Sequence, residues 1–113
     1  MFGAGATLAR WAEAGATITM CIVTDGSKGS WDPHVPDAEL ISQRIEEQEE
    51  ARAILGAAAA IHLGTVDGEL LHTQDLVDRL ATIIREVRPD VVLTHDPWQR
   101  YQLHPDHRAT GLA

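Results

Sequence analysis

Four consecutive residues, His104-Pro105-Asp106-His107, have the types and spacing to do chemistry. With Pro105 in the first turn of a helix, the two histidines stand about one turn apart and can face one point. Imidazole is a common zinc ligand, and a carboxylate can orient an imidazole through its second nitrogen. The same residues also suit an ordinary helix start, with His104 capping free amides and His107 in solvent. Spacing leaves both readings open, because a catalytic zinc typically takes three protein ligands and a water.

The elements around this motif determine what else can reach it. Thr7 to Ala14 reads as a short helix ending at Gly15. Thr17 to Thr24 is β-branched and apolar, the pattern of a strand buried on both faces. A loop from Asp25 to Pro36 follows. A long helix then starts near Asp37, with Ile41, Ile45, Ala51, Ile54 and Leu55 expected along one face and Gly56 at its end. Ala58 to Leu63 is a second strand. Thr73 is an N-cap for a helix whose Leu76, Leu80, Ile83, Ile84 and Val87 recur at helical spacing. Pro89 stops it, Val91 to Thr94 is a third strand, and Pro105 opens the last helix.

Strands alternating with helices predict an α/β fold, a Rossmann-like open parallel sheet with helices on both faces. In such sheets ligands bind beyond the carboxyl ends of the strands, here the loops 25–36, 64–72 and 96–107. The 113 residues fit a single domain. Three strands make a thin sheet, so the expectation is a partial domain, 1–113, with flanking parts elsewhere.

Composition narrows the function. Seventeen acidic residues against nine basic ones give a net charge of -8. That balance excludes nucleic acid as the expected partner and gives no grip on anionic lipid. No stretch approaches the roughly 20 apolar residues of a membrane span. No signal segment is visible, so the expected location is cytoplasmic. Cys21 is the only cysteine and is expected as a buried, inert thiol.

An ordered set of local patterns carries a resemblance. Gly3-Ala4-Gly5-Ala6-Thr7-Leu8-Ala9 opens the chain, and Thr24-Asp25-Gly26 ends the first strand. Arg44, Glu47, Ala51 and Leu55-Gly56 mark the long helix. Leu63-Gly64, Asp67-Gly68, Arg88-Pro89-Asp90-Val91-Val92 and His104-Pro105-Asp106-His107 follow in order. The series resembles the LmbE-like, or PIG-L, family of zinc-dependent de-N-acetylases, nearly end to end.

The resemblance implies roles. His107 matches a zinc ligand. His104 matches the histidine that polarises the amide carbonyl or protonates the leaving amine, with Asp106 as its orienting carboxylate. Arg44 and Asp67 match positions that hold sugar hydroxyls, implying a small amino-sugar substrate and Zn2+ as cofactor. Each has a plainer reading: Arg44 as a surface partner of Glu47, Asp67 as a turn residue before Gly68. Asp25 is read mainly as a turn residue. Trp98 and Tyr101 are candidates to wall the pocket. His34, His62, His72 and His95 match no family ligand position and are read as structural or solvated.

Family members also carry Ala-His-Pro-Asp-Asp-Glu before the Gly-rich segment, supplying two further zinc ligands and the general base. This sequence opens at Met1-Phe2-Gly3, past that motif. The His-x-x-Asp spacing at His34–Asp37 and His72–Asp75 falls at predicted helix starts and is not accepted as a replacement. An internal Met1 in a longer enzyme is favoured over a decayed remnant. These residues alone are expected to hold zinc weakly and to turn nothing over. The competing readings are an amidase acting on mycothiol-type conjugates, a nucleotide-binding α/β module and a non-catalytic remnant.

Overall fold

The chain's local signals meet the backbone first at helix ends, where unpaired amides and carbonyls need partners. A computed structural model describes residues 3–100 and 104–113. Its elements in order are α1 (Gly5–Glu13), β1 (Thr19–Thr24), α2 (Asp37–Leu55), β2 (Ala59–Thr65), α3 (Gln74–Val87) and α4 (Pro105–Leu112). β1 and β2 pair in a two-stranded parallel sheet. The fold class is α/β, as the alternating pattern predicts. The chain divides into two compact units, Met1–Gly64 and Thr65–Ala113.

In the first unit the helices pack on one another and on the start of β1. Ile18, Met20 and Ala57 are buried together, with Leu8 and Ala12 of α1 and Leu55 of α2 packed against them. Leu8 and Ala12 are four residues apart, so one stripe of α1 supplies both. Gly56 takes the left-handed conformation at the end of α2, and the amides of Gly56 and Ala57 close the last turn. At the same end of the helix, Arg52 and His62 lower the Glu49 pKa, the Arg52 hydrogen bond contributing most.

The expected face of α2 needs correction. Leu40 is its buried residue, while Ile45 is exposed and Ile54 is 83% exposed. Successive helical residues point about 100° apart, so Ile54 cannot share the face that takes Leu55 inward. β1 also departs from expectation. Met20 and Val23 are buried, but Cys21 is exposed. Adjacent strand residues point to opposite faces: Met20 and Ile22 share the side of the core cluster, whereas Cys21 lies on the other side, where Val23 is covered and Cys21 is not.

In the second unit Leu76 of α3 is 3% exposed, and Leu70 and Ala109 are also buried. Burial of one such leucine stabilises by roughly 1.5–3 kcal/mol. Ile84 and Val87, expected on the same stripe, stay exposed. Val91, Val92 and Leu93 are exposed as well, and no strand ladder forms at the expected third strand. A strand needs a neighbour to exchange hydrogen bonds with, and among the described residues this segment has none. No helix among these residues is long and apolar enough to cross a membrane.

The Thr73 hydroxyl oxygen accepts from the Leu76 amide at 3.3 Å, capping α3. Thr73→Ala removes that acceptor and should lower stability by about 1 kcal/mol. Thr73→Ser should retain most of it, and urea denaturation of both variants measures the difference.

Candidate active site

Pro105 occupies the first turn of α4, and His104 is its N-cap. The missing amide of proline costs nothing there, because first-turn amides have no intrahelical partner. His104 Nδ1 accepts from the Asp106 amide at 3.4 Å. A nitrogen that accepts carries no proton, so a neutral ring in this geometry holds its proton on Nε2. The capping interaction therefore selects a tautomer. His104 is exposed and lies beside a largely apolar hollow of about 410 Å³ lined in part by Leu70, Leu71, Pro105 and Leu112.

Asp106 is turned the other way, with its side chain 5% exposed. Its Oδ2 accepts from the Gly68 amide at 2.7 Å, and Oδ1 accepts from the Leu70 amide at 3.2 Å. Oδ2 lies 3.8 Å from His104 Nδ1, beyond hydrogen-bond length. The bonded amides belong to the loop after β2. There the Glu69 amide donates to the Val66 carbonyl at 3.2 Å and Gly68 has a φ of 82°. Asp67 sits inside that turn, as its place before a glycine suggests. Asp67, His104 and Asp106 each offer a ligand atom within 4.8 Å of the others. This is the group of potential metal donors that the described residues bring together.

His107 stands one position further along the same helix. Its ring centroid is 5.3 Å from that of His104. It stacks on His95 at 4.0 Å with the planes 7° apart. Partial desolvation holds the His95 pKa below its usual value, and the charge of His107 pushes the same way. His95 is one of the four histidines that match no family ligand position, yet it is the one that meets the motif. Its signal in the sequence is position: it directly follows Val91 to Thr94, where the loop leaves the expected third strand.

Arg44 lies in the first unit, on α2. Its Nη2 donates to the Gly29 carbonyl at 2.9 Å, and its Nη1 pairs with Glu47. The plainer expectation of an Arg44–Glu47 pair is thus present, alongside a second tie to the loop after β1. Gly26 has a φ of 70°, and a Cβ built on it would meet Arg44 Cγ at 2.9 Å. Asp25 Oδ1 accepts from the Ser27 amide at 3.0 Å, the turn role expected of it. Arg44, Asp25 and Gly26 help to line a hollow of about 180 Å³ with Ile22, Ile41 and His62. Trp98 is exposed, with its amide donating to Asp96 Oδ1 at 2.9 Å. Tyr101 lies outside the described residues.

Comparison with known proteins places this geometry in context. The family described as GlcNAc-PI de-N-acetylase matches residues 1–113. A diacetylchitobiose deacetylase of Thermococcus kodakarensis is 38% identical over 110 residues, covering 97% of this chain and 41% of that protein. A 1D-myo-inositol 2-acetamido-2-deoxy-alpha-D-glucopyranoside deacetylase of Kineococcus radiotolerans is 30% identical, covering 93% of this chain and 37% of that one. The solved N,N'-diacetylchitobiose deacetylase of Pyrococcus horikoshii, complexed with its inhibitor MPG, superposes with a TM-score of 0.94. Identity there is 34%, covering 97% of this chain and 41% of that one. The chain thus spans about two fifths of the length of the relatives it matches.

One further close approach bears on the histidine pair. A Cβ built on Gly111 would lie 2.3 Å from the His95 carbonyl oxygen. Only a glycine lets α4 sit this close to that backbone. Gly111→Ala should push the two apart, at about 1–3 kcal/mol for the added methyl. The ring-current shifts that stacking gives the His95 and His107 imidazole protons should shrink in NMR spectra. Unchanged shifts in a stable variant would mean that Gly111 does not hold the pair together.

Proposed function

The chain belongs to the PIG-L family, the GlcNAc-PI de-N-acetylases, and on that premise we propose that it supplies part of the active site of a hydrolase acting on N-acetylated amino sugars. The reaction adds water to the acetamide carbonyl and breaks the C–N bond, releasing acetate and the free amine. The observation that carries this reading is the convergence of Asp67, His104 and Asp106 at one helix start.

His104 is the residue we assign to the acyl group. With Nδ1 engaged by the Asp106 amide, its Nε2–H is the donor left for the oxygen that becomes negative as water adds. A protonated His104 would instead deliver a proton to the departing amine, after which the C–N bond breaks. Asp67 is assigned to substrate hydroxyls, since a carboxylate on an ordered turn accepts from two neighbouring O–H groups. Arg44 is assigned the same task. Two of its five N–H donors go to Glu47 and Gly29, which leaves others for a polyol.

The donor chemistry fits a zinc ion: imidazole nitrogen and carboxylate oxygen are the atoms such a cation takes. We assign the metal-ligand role to His107, which stands outside the Asp67–His104–Asp106 group but has its ring centroid 5.3 Å from that of His104. Asp106 is the poorer ligand, because both its oxygens already accept backbone amides. Lewis acidity toward the acyl oxygen and the attacking water is what zinc supplies to such a site when bound.

The test separates ligand from acid–base residue in the whole protein. His107→Ala should lower both zinc per chain and turnover of N,N'-diacetylchitobiose. His104→Ala should keep the zinc and lose roughly 10²–10³-fold in kcat. Elemental analysis and acetate release measure the two quantities. Zinc content unaffected by His107→Ala would remove that residue from the metal.

A further inference from the structure

Asp106 is the buried carboxylate of the second unit, and its bonding partners are not the imidazole beside it. Gly68 and Leu70 lie 38 and 36 residues away in the chain, yet their amides meet its two oxygens. A carboxylate that is 5% exposed needs donors, because an unpaired buried charge is costly. It finds them on either side of Glu69, in the loop that carries Asp67. The His104 ring takes the Asp106 backbone amide instead, so the side chain and the main chain of this residue serve different partners.

From this arrangement we propose that Asp106 is a positioning residue for substrate binding. Its carboxylate clamps the Gly68–Leu70 backbone to the start of α4 and so holds Asp67 opposite His104. This deepens the reading of the site given above and rests on it for the role of Asp67. A carboxylate that oriented His104 would need Nδ1–H as its donor, and Nδ1 is already an acceptor. The geometry therefore separates two jobs: the helix cap sets the imidazole, and the carboxylate sets the loop. Losing the carboxylate should affect grip on the sugar first and the chemical step little.

Asp106→Asn keeps the volume and replaces one acceptor with an N–H2 group. That group then faces an amide donor, and one of the two bonds is lost. In the whole protein, KM for N,N'-diacetylchitobiose should rise about tenfold or more, with kcat within about threefold of the parent. The pH profile of kcat should keep its shape. Asp67→Asn should give the same pattern, and the double variant should be no worse than Asp67→Asn alone, because both changes disable one contact. A fall in kcat at unchanged KM, with a displaced pH profile, would assign Asp106 to His104 and overturn the clamp. Fully additive losses in the double variant would overturn it too.

Amide exchange tests the clamp without any activity, and its first arm needs no variant. Gly68 is solvent-exposed, so slow exchange of its N–H reports the bond to Asp106 rather than burial. It should exchange at least tenfold more slowly than an unstructured glycine in the unmodified protein, and lose that protection in Asp106→Asn. Open-chain exchange at Gly68 in the unmodified protein sinks the proposal. Slow exchange in a protein that fails to hydrolyse any N-acetyl sugar would leave the clamp standing and remove the functional reading instead.

Discussion

The second unit depends on one electrostatic constraint: a carboxylate out of contact with water must be matched by donors. Asp106 meets it with two backbone amides from a loop far away in sequence. Main-chain donors are a firmer match than side chains, since they bring no rotamer entropy of their own. The bonds also fix what lies between and beside them. A turn with Gly68 in the left-handed region and its ends tied to a helix start has little freedom left. Asp67 inherits that rigidity without making the bonds itself.

The helix start contributes the other half. Its first-turn amides have no partners within the helix and carry partial positive charge. His104 satisfies the Asp106 amide, and Asp106 adds a negative charge in the first turn, where the helix dipole favours it. The features that make a stable α4 are therefore also the features that point an imidazole and a carboxylate in chosen directions. This is why the capping reading and the catalytic reading of the motif do not compete. A cap through Nδ1 leaves Nε2 available for a ligand.

What could be read from the sequence follows from how far each interaction reaches. Thr73, Gly56 and Pro105 act within a turn or two of the chain, and the helix ends they predict are present. The α/β class came from the alternation of patterns, another local property. Cys21 and Ile54 went astray because an apolar run does not say which residue faces inward; only the packed neighbour decides that. The Val91–Thr94 segment has the composition of a strand, but composition cannot provide the adjoining strand. Similarly, no spacing rule announces that the Asp106 side chain meets Gly68, or that His95 stacks on His107. Those are contacts made by folding. The family pattern marked the residues around His104 without revealing which atom each would bond.

The first unit repeats, with opposite charge, the device found in the second. Arg44 is a helix residue whose guanidinium donates to the Gly29 carbonyl, in the loop that follows β1. Asp106 is a helix residue whose carboxylate accepts amides in the loop that follows β2. In both, a charged group on a helix fastens a glycine-containing turn at the carboxyl end of a strand, which is where open α/β sheets bind ligands. The glycines matter for two reasons. Gly26 and Gly68 take a left-handed backbone that ordinary residues resist, and Gly26 also leaves room for the arginine stem. Fastening such turns with charges has a consequence that apolar packing would not. In the first unit the guanidinium that holds the loop keeps spare donors for a polar ligand, whereas in the second the buried Asp106 holds the loop and leaves Asp67 to meet the ligand.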